Sequence, residues 1–173
     1  MSASTPSKSP SSKPRTSKAA VREPSLFLAR LLAMAFRSLI DDLHSRLAER
    51  GYDDVRPAFG FVLLEASRER STIGDMARLM GNTKQAASKL VASVQERGYV
   101  SLNASTDDAR AKVLKLTNRG AKLLQVVEEI YAELEHEWGQ TLGKRALDTL
   151  KLDLERAIRE RHGGDLPPVR PTW

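Results

Sequence analysis

The chain of 173 residues has no cysteine. That excludes a disulfide framework and any thiolate metal site. Histidine is nearly absent too: His44, His136 and His162 stand far apart, in no metal-ligand spacing, so neither a metal nor a cofactor is expected. No apolar run approaches the ~20 residues that a helix needs to span a bilayer. The most apolar start, residues 26–36, is interrupted by Arg30. Residues 1–24 lack the apolar core of a secretory signal, and their prolines argue against an amphipathic transit helix. There is no Gly-x-Ser-x-Gly, no His-Glu-x-x-His and no Gly-rich phosphate loop, so catalysis is not expected.

What is there centres on residues 73–119. An apolar-periodic segment, residues 73–80, follows Thr72, with Asp75 placed to complete a reciprocal cap. Ile73, Met76, Ala77 and Met80 fall on one helical face, and Gly81 stands where a helix end needs positive φ. Thr83 is the expected N-cap of a second helix ending at Gly98, with Ala87, Leu90, Val91 and Val94 turned to the core. Its opposite face carries Lys84, Gln85, Ser88, Lys89 and Ser93 and no acid, a set suited to phosphates and base edges. An ordinary solvated face has the same composition. Two β-like runs follow, residues 99–102 and 112–116, around a polar loop at 103–111. Helix, tight turn, helix and two-stranded ribbon make a winged helix-turn-helix, which reads DNA with its second helix.

The ribbon is the most specific part. Asp108 and Arg110 in the loop, Leu114 and Leu116 in the return strand, then Thr117 and Gly120 stand in the order and spacing of the MarR family of winged-helix regulators. The chain resembles that family from about residue 26 to 158. Ala109 stands where the family often has another Arg or Gly. The resemblance implies a dimeric, ligand-responsive regulator of transcription, usually a repressor, that binds double-stranded DNA in the cytoplasm at the nucleoid. Without cysteine, the thiol-based peroxide sensing of some relatives is excluded. Thr83, Lys84, Gln85, Ala86, Ser88, Lys89, Asp108, Arg110 and Lys112 are the expected DNA-binding residues, with Arg110 in the minor groove and Asp108 orienting it. In relatives, small aromatic or phenolic acids bind between the dimer helices and the winged domain. Candidate linings for such an effector here are Arg30, Phe36, His44, Tyr52 and Phe59, residue types that cores also use.

The fold class expected is mainly α: a winged helix-turn-helix at residues 56–119, flanked by dimerisation helices at 25–55 and 120–161. A basic, disordered tail is expected at 1–24 and a loose, Pro-rich one at 162–173. Ser25 is the expected N-cap of the first helix, with Leu28, Leu32, Ala35, Leu39, Leu43 and Leu47 as its stripe and Gly51 as its end. Pro57 suits the first turn of the next helix, whose main face is Phe59, Val62, Leu63 and Ala66. A helix over 117–142, with a stripe from Leu123 to Trp138, breaks at Gly143. A last helix over 146–161 carries Leu147, Leu150, Leu154 and Ile158. The stripes fit a two-fold homodimer, or packing within one chain.

Charge is sorted along the chain. Residues 78–119 hold eight cations against three acids, a net +5, whereas 120–161 hold seven against nine, a net −2. A basic segment beside slightly acidic terminal helices is the footprint of a nucleic-acid binder. The basic tail, five cations against one acid, reads either as a phosphate-binding arm or as inert solvated chain. The rival to a DNA-binding regulator is a winged helix that binds protein or RNA.

Overall fold

The computed structural model describes residues 26–68, 70–104 and 112–167. Among them are six helices and a two-stranded antiparallel sheet: α1 (Leu28–Glu49), α2 (Phe59–Ala66), α3 (Ile73–Met80), α4 (Lys84–Glu96), β1 (Val100–Ala104), β2 (Lys112–Leu116), α5 (Asn118–Leu142) and α6 (Lys144–Arg161). The mainly helical winged architecture expected from the sequence is the one observed.

Local chemistry sets most boundaries. Thr72 and Asp75 form the reciprocal cap of α3: the Asp75 amide donates to the Thr72 hydroxyl, and the Thr72 amide donates to the Asp75 carboxylate at 2.9 Å. Thr83 caps α4 through the Ala86 amide, and Thr117 caps α5 through the Gly120 amide. Five boundaries differ from the sequence reading. The first helix begins at Leu28, with Phe27 in the N-cap position and no side-chain cap, because Leu26 and Phe27 offer no acceptor; Ser25 lies outside the described residues. Pro57 sits in the turn ahead of α2, two residues before its first helical residue. Tyr99 is not in β1, because its amide still donates to Val94 O at the end of α4; Asn103 and Ala104 are strand, not loop. The last helix starts at Lys144, directly after Gly143.

One core runs through the winged half and the middle of α5. Phe59, Val62 and Leu63 from α2, Met76 from α3, Ala87, Val91 and Val94 from α4, Leu114 from β2, and Leu123, Ile130 and Leu134 from α5 are all buried in it. Only Leu43 and Leu47 of the long α1 stripe join them; Leu28, Leu31, Leu32, Met34 and Phe36 are exposed. The last helix packs on α5 and buries no residue of its own. No helix among the described residues is long and apolar enough to cross a membrane.

Candidate nucleic-acid interface

Helices α3 and α4 are held at a fixed angle by a one-glycine turn. Gly81 has φ 62°, a left-handed conformation that closes α3, and Asn82 N reaches back to Ala77 O at 3.1 Å. Two residues later Thr83 opens α4. Because Ala87, Val91 and Val94 are fully buried, the opposite face of α4 must point outward. Lys84, Gln85, Ala86, Ser88 and Lys89 are all exposed there, and so is the cap Thr83. No side-chain hydrogen bond or ion pair among the described residues engages Lys84, Gln85, Ser88 or Lys89. The first turn carries no acid, so its free amides and Lys84 present a positive end. Ser93 departs from the expected open face. It is half-buried, and its carbonyl and hydroxyl accept from Arg97 at 2.8 and 2.9 Å.

The base of the ribbon is tied to the α2–α3 connection. Leu114 N donates to Ser71 O at 2.7 Å, and Thr72 bridges Val113 antiparallel to it. The Ser71 hydroxyl donates at 2.8 Å to Glu65, a carboxylate buried in α2. The register pairs Ala104 with Lys112, and both side chains are exposed at the outer end of the ribbon. Asp108 and Arg110 belong to residues 105–111, outside the described residues.

Behind α4 lies a cluster that sequence reading did not find. The Tyr99 hydroxyl donates to Asp54 Oδ1 at 2.6 Å and accepts from Arg119 at 3.2 Å. The Arg119 guanidinium lies 4.7 Å from the Tyr99 ring centroid, and that of Arg97 lies 5.3 Å from the Phe59 ring centroid. Burial first, then the Asp54 carboxylate, pushes the Tyr99 hydroxyl above the ordinary phenol range. Asp54, Tyr99 and Arg119 are too far apart in sequence for any spacing rule to join them. The one available signal was Arg119 in the first turn of a helix, where the macrodipole disfavours a cation.

The five effector candidates do not converge. Arg30 and His44 are separated by about 21 Å along a single helix, too far to share one small-molecule site within the chain. Arg30 and Phe36 are exposed on the first half of α1. His44 is half-buried; desolvation lowers its pKa, against opposing contributions from a hydrogen bond to the Val55 backbone and from Asp41. Tyr52 and Phe59 do meet the Tyr99 cluster: the Tyr52 ring is 6.5 Å from that of Tyr99, and Phe59 is buried beneath Arg97. Beside them, α1 and α5 are strapped by ion pairs. Arg46 reaches Glu137 at 2.7 Å and Glu133 at 3.2 Å, and Arg50 reaches Glu133 at 2.6 Å. Arg50 and then Arg46 hold the Glu133 carboxyl below its usual range. No group of three or more His, Asp or Glu among the described residues is placed to hold a metal ion.

Residues 61–111 match the model of the MarR family. No curated protein matches the sequence. Among solved structures, reduced MarR from E. coli superposes with a TM-score of 0.67 at 20% identity, covering 79% of this chain and 99% of that one. MepR, a transcription regulator of the Staphylococcus aureus multidrug efflux pump MepA, superposes with a TM-score of 0.62 at 20% identity, covering 78% and 98%. The MepR–DNA complex gives 0.61 at 19% identity, covering 79% and 99%. At these identities the likeness speaks for the fold.

Proposed function

Starting from a winged helix of the MarR type, we propose that this chain is a homodimeric regulator of transcription that reads double-stranded DNA with α4. The uncommitted face of α4 carries the reading. Lys84, Gln85, Ser88 and Lys89 are exposed, and unpaired among the described residues, on a helix whose other face is locked into the core, and that is how a helix is presented to a major groove. Thr83 and the first-turn amides suit a phosphate, and Ala86 suits a thymine methyl. Arg110 in the loop, oriented by Asp108, extends the contact to the flanking minor groove, with Lys112 beside it as a further DNA contact. MepR, of the same fold, is known as a DNA complex.

Dimerisation is supported by apolar surface left open on α1 and α6. Leu28, Leu31, Leu32, Met34 and Phe36 on α1, and Leu150, Leu152 and Ile158 on α6, are exposed. Residues 25–55 and 120–161 are thus the dimer helices and 56–119 the reading unit. A two-fold dimer requires an inverted repeat with half-site centres about 10 base pairs apart. The expected output is repression, released by a small aromatic or phenolic ligand.

Footprinting on the intergenic region beside the protein's own gene tests the reading. The expected result is a protected site with dyad symmetry, and retention on duplex DNA well above that on single-stranded RNA at the same salt. Equal retention on both, with no protected site, overturns it.

A further inference from the structure

We propose that Asp54, Tyr99 and Arg119, with Arg97 beside them, form a positioning clamp that sets the angle of α4 against α5, and with it the half-site spacing a dimer accepts. The proposal rests on the DNA-binding reading above.

Tyr99 is fastened at both ends of its backbone. Its amide donates to Val94 O at 3.2 Å, so it moves with the C-terminal end of α4. Its carbonyl accepts from Thr117 N at 3.1 Å, and the Thr117 hydroxyl donates to the adjoining Gly98 carbonyl at 2.6 Å, so Tyr99 also moves with the start of α5. The side chain adds a third anchor. The ring is fully buried, and the hydroxyl reaches Asp54 in the connection between α1 and α2. Arg119, in the first turn of α5, closes the arrangement by donating to that hydroxyl and lying 3.7 Å from Asp54. Arg97, at the end of α4, holds Ser93 on one side and approaches Asp54 at 3.9 Å on the other. The end of α4, the start of α5 and the α1–α2 connection therefore meet at one carboxylate.

A cation in the first turn of a helix opposes the helix dipole. Arg119 occupies that place, and the Asp54 carboxylate and the Tyr99 ring offset the conflict. Local propensity yields here to a contact between elements. The mechanical consequence follows from length. Helix α4 has 13 residues, and its base-facing side chains lie at the end away from the clamp. At about 1.5 Å per residue it is a lever of roughly 20 Å, so a pivot of about 10° displaces its tip by about 3.4 Å, one base-pair step.

The test uses the full chain and duplexes that carry two half-sites of the footprinted sequence, with one or two base pairs added or removed between them. Wild type, Tyr99→Phe and Asp54→Asn are titrated at one salt concentration, and folding is checked by circular dichroism. Wild type is expected to favour one spacing by about tenfold or more, and each variant to narrow that ratio to about threefold, with affinity for random duplex unchanged. Folded variants that keep the wild-type ratio overturn the clamp and leave the DNA-binding reading intact. Wild type that binds duplex without a spacing preference overturns the clamp as well. Wild type that binds no duplex removes both. Should Tyr99→Phe fail to fold, Asp54→Asn, which leaves the aromatic packing in place, decides the matter.

Discussion

A β-carbon added at Gly120 would lie 1.9 Å from the Tyr99 carbonyl oxygen. The start of α5 rests directly on the backbone that leaves α4, and only hydrogen fits between them. Gly120→Ala must push the two elements apart and is expected to destabilise the fold by about 3 kcal/mol, the upper part of the overpacking range. Urea unfolding measures it. Gly139→Ala is the control in the same helix: its nearest neighbour would be Leu147 Cδ2 at 3.8 Å, an ordinary contact, so stability should hold or rise.

On the proposed reading, Gln85 on the exposed face of α4 pairs bidentately with an adenine. Gln85→Ala is expected to cost about 1–3 kcal/mol on the cognate site and far less on random duplex. An equal loss on both, measured by fluorescence anisotropy, would reduce Gln85 to a residue that positions the helix on the backbone.

For Arg110 the distinguishing variable is salt. A guanidinium in a narrow minor groove releases counterions, so Arg110→Ala should lower the slope of log affinity against log salt by about one contact. Stability and oligomeric state should not change. An unaltered slope leaves the wing without a charge contact at this position.

Dimerisation should respond to charge in the open apolar surface. Leu150→Asp on α6 and Leu32→Asp on α1 replace exposed leucines outside α4. Light scattering at micromolar concentration is expected to show a dimer for wild type and a shift toward monomer for each variant, with DNA binding weakened in parallel. A wild-type monomer that stays monomeric on DNA rejects the two-fold reading.

His44 makes stability depend on pH. Burial lowers its folded-state pKa below that of the unfolded chain, so the unfolded state binds the proton more readily. Its contribution is present above about pH 6.5, the unfolded value, and is lost as pH falls toward the lowered folded value. Melting curves from pH 7.5 to 5 are expected to show a decline that His44→Gln flattens.

The sequence was legible where chemistry is local. Thr72 with Asp75, and Thr83, each stand three residues from the amide or carboxylate they meet, and both caps are found as read, while Thr117, read as the first helical residue, proves to be a cap of the same kind. The stripes on α2 and α4 named the core correctly, since one buried face is a periodic property. The stripe on α1 runs further than the core it meets: it continues through Leu28 and Leu32, which no described residue covers. Ser93 was read as open although Arg97, four residues on and one helical turn away, folds its guanidinium back onto it. The Tyr99 cluster and the Arg46 and Arg50 pairs with α5 join residues 18 to 91 positions apart or drawn from separate elements, and no spacing encodes them.

An 18-residue helix with no fully buried residue has little to hold it on its own. If the second copy covers α6, the protein's melting temperature becomes a function of its own concentration. At low copy number the terminal segment opens first, offering its leucines to proteases, while a well-stocked cell shields them. Turnover would then be governed by abundance, and a scarce regulator would be cleared faster than a plentiful one.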